Sequence, residues 1–417
     1  MTLLPITIAS CHRPDRFREA CTAHGLTFER YGPAAEPKCT PAARVNPALA
    51  LLDTPYTANW LRHYYNRQAA GVARVGMMHV PGALLTDDWG LVLTQPDENT
   101  GSFAVTSMSG FGWTPEQFSY MAEQGHLSAM PDGALALETG NRTRIKLAGT
   151  SALLSFPGAY TYGHWITDIC ARLELLTAQH DINAIDHFFL PGVSAWMFPF
   201  LAAYGVRQDR IIQLDKTHIY ELEQLLVPTT MGQHHRDALP VQFARTVFHR
   251  LSSISSTWGR LPVWGKARKR SPLAFVLHTA LTSAPGREIG NIAEIVALVE
   301  ELGGQVLDPL KLPLPAFLNR IRESDLVIGQ DSSALHNLAM APRDLLVIQT
   351  EPRFNMLHPS IQEATGQRVG FMMAQADDAG VWTVRPRRLR TLIRWAREAR
   401  LDTENPATPV RETEPQA

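Results

Sequence analysis

The second half of the chain alternates short apolar runs with helical stretches, and this limits the fold more than any other feature. It reads strand AFVLH, helix IAEIVALVEEL, strand GQVL, helix PAFLNRIRES, strand DLVIG, helix ALHNLAMA and strand LLVIQ. Short runs rich in Val, Ile and Leu suit strands covered on both faces, which is the habit of parallel sheets with helices packed above and below. A Rossmann-like domain is expected over residues 251–385. The first half carries a looser version of the pattern: strand SALLSF, a helix from about Gly163 to Gln179, strand HFFLP, a helix from about Ser194 to Tyr204, and strand RIIQL. This predicts a second Rossmann-like domain over residues 81–250. Ahead of it, VPGALLTDDWGLVL places two apolar runs around Asp87, Asp88 and Gly90, which suits a hairpin at the edge of that domain.

A chain of 417 residues exceeds the usual size of one hydrophobic core, so two domains agree with its length as well as its pattern. Residues 1–80, rich in proline and small residues, read as an accessory region. Residues 386–417 read as a basic helix followed by a disordered tail. The link between the domains falls between about Met231 and Arg270. Open α/β sheets bind ligands at the carboxyl ends of their strands, so two such domains predict an interdomain cleft.

A net charge of −1 excludes a global pull toward nucleic acid. The four cysteines, Cys11, Cys21, Cys39 and Cys170, lack metal-binding spacing and indicate neither a zinc site nor a disulfide framework. The opening MTLLPITIASCHRPDRF is too broken to read as a signal peptide, and no apolar run is long enough to span a bilayer, so a cytoplasmic location is expected. Neither half shows GxGxxG between strand and helix, which disfavours a nicotinamide-dependent dehydrogenase.

Two segments could carry chemistry. In YGHWITDICARLELL, residues Ile166, Ile169, Cys170, Leu173 and Leu176 form an apolar stripe at helical spacing, leaving His164, Asp168 and Arg172 on the other side. Four residues of separation let His164 and Asp168 point at one ligand and share proton transfer. The same pattern fits a surface helix with ordinary His–Asp–Arg pairs. The turn after Val327-Ile328-Gly329 would offer backbone N–H groups and a positive helix end to a pyrophosphate. Ser332 and Ser333 either cap that helix or donate to phosphate oxygens. Asp331 there is either a cap or a repulsive neighbour for a diphosphate. Glu351, beyond the strand LLVIQ, is placed either to accept ribose hydroxyls or simply to face solvent. The adjacent acids Asp87-Asp88 and Asp377-Asp378 read as turn residues, and no persuasive metal site is expected.

The stretch HWITDICARLELL resembles the HWxxDxxPRL-type helix of glycosyltransferase family 61, the capsular polysaccharide biosynthesis proteins, with Ala171 where the family has proline. Downstream, the segment from REIGNIAEI to SDLVIGQDSSALHNLAMAP resembles the family's Arg–Asn–Glu segment and its GxHGAxLxN loop. Order and spacing agree over roughly residues 80–350. The departures are Asp331-Ser332-Ser333-Ala334 in place of His-Gly-Ala-Gly, with His336 and Asn337 following, and a lone Arg287 between Gly286 and Glu288 where the family often has two arginines.

The resemblance implies a GT-B-like α/β fold of two facing Rossmann-like domains, and an inverting transfer from a nucleotide-sugar donor with no required metal or cofactor. Asp168 would be the general base, and His164 would orient it or bind acceptor or donor phosphate. Arg287, Asn291, Gln330, Asp331, Ser332, Ser333, His336, Asn337 and Glu351 would form the nucleotide-sugar site. The acceptor would be a glycan or lipid-linked glycan of a bacterial surface or capsular polysaccharide. The altered loop also fits a catalytically degenerate protein that keeps the fold and binds nucleotide or glycan. The segment RPRRLRTLIRWAREAR, with Leu389, Leu392, Ile393 and Ala396 at helical spacing, suits either peripheral contact with anionic lipid at the inner membrane face or packing across the first domain.

Overall fold

The computed structural model describes residues 3–7, 22, 25–32, 75–95, 102–105, 121–123, 125–130, 135–156, 158–231, 239–258, 271–278, 288–350, 354–355 and 357–404. The chain divides into two compact units. Described residues up to 231, with 242–247, fall in the first; residues 239–241 and those from 248 onward fall in the second. Among the described residues no helix is long and apolar enough to cross a membrane.

The first unit is built on a mixed sheet of eleven described strands. They are β1 (Leu3–Thr7), β2 (Thr27–Arg30), β3 (Gly76–Thr86), β4 (Leu91–Leu93), β5 (Ser102–Val105), β6 (Ser128–Ala129), β7 (Leu135–Glu138), β8 (Thr143–Leu153), β9 (His187–Leu190), β10 (Ile211–Gln213) and β11 (His218–Pro228). Strands β10-β9-β8-β11 run parallel to one another. Beyond β11 the pairing turns antiparallel through β3, β4 and β5. A purely parallel Rossmann-like sheet is therefore not what forms here.

The predicted hairpin does form, as β3–β4, but β3 lies between β11 and β4 inside the sheet and not at an edge. Side chains alternate across it: Leu84 joins the core cluster of Leu91, Leu93 and Ile219, while Leu85 joins the cluster on the other face with Val92, Phe189 and Leu222. Strands β1 and β2 pair into this same sheet, so the described parts of residues 1–80 belong to the first unit's framework.

The covering helix begins with α1 (Tyr162–His164), continues through a π-helical turn at Trp165–Ile169, and ends as α2 (Cys170–Gln179). It is buried nearly all round. Trp165 and Ile166 are fully buried, as is Arg172, so the expected polar outer face does not exist. After it come α3 (Phe198–Ala203) and α4 (Val241–Trp258), whose residues 242–247 belong to the first unit and whose remainder belongs to the second.

The second unit contains a five-stranded, all-parallel sheet of β12 (Ser271–Val276), β13 (Gln305–Leu307), β14 (Ser324–Gln330), β15 (Asp344–Gln349) and β16 (Val369–Met373), in the order β13-β12-β14-β15-β16. This is the 2-1-3-4-5 order of a doubly wound fold, as the Val/Ile/Leu runs predict. Its helices are α5 (Ile292–Glu301), α6 (Leu314–Arg322), α7 (Leu357–Thr365) and α8 (Pro386–Glu404). Leu389, Leu392, Ile393 and Ala396 of α8 are buried in one cluster with Leu273, Phe275, Ile295 and Leu346. The apolar stripe of the basic helix thus packs on its own unit's sheet. Each of those leucine and isoleucine side chains contributes roughly 1.5–3 kcal/mol of burial.

Candidate active site

In the first unit, the π-helical turn carries the acid and imidazole singled out by their spacing. The Nδ1 of His164 donates to Asp168 Oδ2 at 2.8 Å, and the hydroxyl of Thr167 donates to the same oxygen at 2.9 Å. The carboxylate is buried, with 10% of its side chain exposed against 16% for His164, so the imidazole is the more accessible member of the pair. With Nδ1 directed at Asp168, Nε2 points to the other side of the ring. Gly158 allows the chain to pass close to that side. Its φ of +95° favours glycine, and a Cβ there would stand 3.2 Å from His164 Cδ2 and 3.4 Å from Nε2. Single π-turns recur where a helix must aim a functional side chain.

Arg172 sits beneath this pair as a wholly buried cation. Its guanidinium donates to Ser155 O at 2.7 Å and stands 4.9 Å from the centre of the Phe156 ring. Burial pushes the guanidinium down to about 9, opposed by the Asp168 charge, so it stays cationic at neutral pH. Phe156 also meets the His164 ring edge-on at 5.6 Å. The loop after β8 is therefore pinned under the His–Asp pair. Above, Trp196 contacts both Tyr162 at 5.2 Å and Trp165 at 5.4 Å.

In the second unit, Gln330 ends β14 and Asp331, Ser332 and Ser333 form the turn that follows. In the 2-1-3-4-5 order, the strand order reverses between β12 and β14, and ligands of doubly wound sheets bind at the carboxyl ends of the strands there. The predicted turn sits at that switch point. Gly329 makes the turn possible, because a Cβ would lie 2.7 Å from Leu335 Cδ2 and 3.3 Å from Val276 O.

Three details differ from the sequence reading. The segment Ser333–Ala339 is a 3-10 helix and not an α-helix, so its aligned dipole is short. Ser332 makes no side-chain cap, and its Oγ is buried without a hydrogen-bond partner. Asp331 accepts a hydrogen bond from His358 Nε2 at 2.8 Å. Burial by itself would raise its carboxyl, but His358 and Asn355, with the charge of His336, hold it below the ordinary value. His336 and Asn337 are buried, with the His336 ring centre 5.2 Å from that of His358 and Asn337 donating to Ala334 O at 2.9 Å. Asn291 lies apart from this group. Its side chain donates to Val384 O at 2.7 Å and accepts from Val384 N at 3.0 Å, clamping the start of α5 to the chain before α8. Arg287 and Glu351 lie outside the described residues.

Among the described residues, two further clusters have donor atoms placed so that they could hold a metal ion, and sequence spacing showed neither. The residues 87–90 do form a turn, yet Asp87 is wholly buried at φ +70° and accepts from His126 Nδ1 at 2.6 Å. Burial opposes ionisation of Asp87, while the bonds from His126, Asp88 and Trp89 N–H hold its carboxyl low. Burial and the neighbouring Asp87 push Asp88 up to about 6. The other cluster is Glu29, His79 and His180. No local signal could link His126 to Asp87, because the contact exists only once the strands around them pair.

Residues 162–348 match the family model Glycosyltransferase 61. The match spans less than half of the chain and starts at the helix that carries His164 and Asp168. It supports glycosyltransferase activity, and the parallel sheets fit an α/β glycosyltransferase fold. No curated protein matches the chain.

Proposed function

We propose that the chain is an inverting, metal-independent glycosyltransferase of GT-B type, with the first unit supplying the base and the second holding the nucleotide sugar. The observation that carries this reading is the buried His164–Asp168 pair at the start of the segment that matches the family. Inversion needs an acceptor hydroxyl to lose its proton as its oxygen attacks the anomeric carbon and the bond to the nucleoside diphosphate breaks. The geometry favours His164 as the group that takes the proton on Nε2. Asp168, with Oδ2 already accepting two hydrogen bonds, orients the ring and stabilises the imidazolium. This exchanges the roles that the resemblance suggests.

The leaving diphosphate would rest on the turn at Gln330–Ser333, where the unpartnered Ser332 hydroxyl is a donor and the carboxylate of Asp331 is engaged by His358. The bond to His358 fixes Asp331 Oδ1 against α7, so the altered loop keeps an ordered turn and its Ser332 donor while the carboxylate stays charged. Arg287 would add charge to the same phosphates. The acceptor would be a glycan or lipid-linked glycan of a bacterial surface or capsular polysaccharide, met in the cytoplasm at the inner membrane face. Arg387, Arg390 and Arg394 are exposed on α8 and would provide contact with anionic lipid.

The test is release of nucleoside diphosphate from a panel of nucleotide sugars, with and without acceptor, by the wild-type chain and by His164→Ala. Acceptor-stimulated release that is lost in the variant is expected. Donor binding with no turnover on any acceptor would leave only the binding reading.

A further inference from the structure

Glu29, His79 and His180 lie far apart in sequence, but the first unit brings their donor atoms together. Strands β2 and β3 pair antiparallel with Thr27 opposite His79 and Glu29 opposite Met77. An offset of two residues puts Glu29 and His79 on one face of the sheet. His180 is the C-cap of α2, and its backbone N–H still closes the last turn on Leu176 O at 2.8 Å, which fixes where the ring stands. Glu29 Oε2 lies 3.2 Å from His79 Nε2 and 4.0 Å from His180 Nε2. All three donor atoms lie within 4.8 Å of one another.

We propose that Glu29, His79 and His180 form a zinc site. Two imidazoles and a carboxylate are an established zinc donor set, commonly with a solvent molecule in the fourth position. Bonds of about 2.0–2.1 Å in a tetrahedron put neighbouring ligand atoms about 3.3 Å apart. The observed separations of 3.2 and 4.0 Å, with the third within 4.8 Å, come to that value by side-chain adjustment, the ion replacing the His79–Glu29 hydrogen bond. The second observation is His180 Nε2 itself, a buried nitrogen without a hydrogen-bond partner, facing the carboxylate across the gap. A buried polar atom left without a partner is costly, and a metal ion would satisfy it. Glu29, about half exposed, leaves the fourth position open to water.

The Asp87, Asp88 and His126 cluster fits a metal less well. His126 Nδ1 and Asp87 Oδ2 stand 2.6 Å apart in a hydrogen bond, closer than two ligands of one ion sit, and Asp87 also accepts from Trp89 N–H. The proposed zinc would cross-link the end of α2 to β2 and β3. Sixteen helical residues at 1.5 Å each separate His180 from His164 by roughly 24 Å, so the ion would hold the helix and take no part in transfer.

The test uses the full chain, stripped with chelator and then titrated with Zn²⁺ by calorimetry and with Co²⁺ by visible absorption. One equivalent of zinc, a tetrahedral Co²⁺ spectrum and a raised melting temperature are expected. His79→Ala, His180→Ala and Glu29→Gln should each weaken zinc binding by at least about tenfold and remove the Co²⁺ spectrum, with unchanged circular dichroism. His249→Ala, at an exposed position on α4, should change nothing. No zinc uptake overturns the proposal, as does binding that survives all three substitutions. Uptake lost only in Asp88→Asn overturns it too, by moving the ion to the other cluster. Zinc binding is read without any sugar donor, so its failure leaves the transferase reading standing.

Discussion

Replacing Asp168 with Asn keeps the shape of the side chain and an oxygen facing His164 Nδ1, but removes the negative charge. During transfer the His164 ring becomes a cation about 4 Å from that charge, given the 2.8 Å hydrogen bond between them. At an effective dielectric constant of about 20, the pair is worth about 4 kcal/mol, or roughly three decades in rate. Low exposure of the Asp168 side chain, 10%, limits screening by salt. The amide retains part of the interaction as a dipole, so kcat should fall roughly 100- to 1,000-fold, with KM within a few-fold. The assay is the initial rate of nucleoside diphosphate release at saturating donor and acceptor, with circular dichroism and nucleotide affinity as controls for folding. Turnover within about tenfold of wild type would refute the argument, because a carboxylate that stabilises the imidazolium cannot be neutralised at so small a loss.

A nucleoside diphosphate should bind the chain with an affinity that chelator leaves unchanged; calorimetry showing strict dependence on manganese would count against metal-independent transfer. Asp88 should make stability pH-dependent. Its folded-state value of about 6 lies above the ordinary 3.8, so its contribution is full below pH 4 and lost as the pH rises through 6. Asp88→Asn, which does not titrate, should gain on wild type in urea midpoint between pH 4 and pH 7, and a pH-independent difference would rule this out. The full chain should pellet with anionic but not neutral vesicles, and changing Arg387, Arg388, Arg390 and Arg394 to Gln should abolish this; equal, negligible pelleting throughout would leave α8 a purely structural role.

The second unit was the most legible part of the molecule. Strands buried on both faces must be apolar throughout, so β12, β14 and β15 stand out as Val/Ile/Leu runs whatever lies around them. The first unit was harder to read. β11, HIYELEQLLVP, alternates charged and apolar residues, with Glu221 and Glu223 on one face and Tyr220 and Leu222 on the other, so it lacks the continuous apolar run that marks a buried parallel strand. That strand carries the switch from parallel to antiparallel pairing, so missing it made the sheet look like a second Rossmann domain.

The same division holds for the candidate site. Spacing of four along one helix is a local property, and it placed His164 beside Asp168 before any fold was known. Burial is not local. Only packing against the loop at Ser155 and Phe156 turned Arg172 from a surface arginine into an interior cation. The Asp331–His358 bond, the Asp87–His126 bond and the meeting of Glu29, His79 and His180 each join residues at least 27 positions apart. The sequence by itself determined the parallel core of the second unit, its helices α5, α6 and α8, and the His–Asp pair, because these follow from hydrophobic period and near-neighbour geometry. The tertiary structure decided which polar groups are buried and what they face, because desolvation and long-range contact exist only after the sheets have assembled.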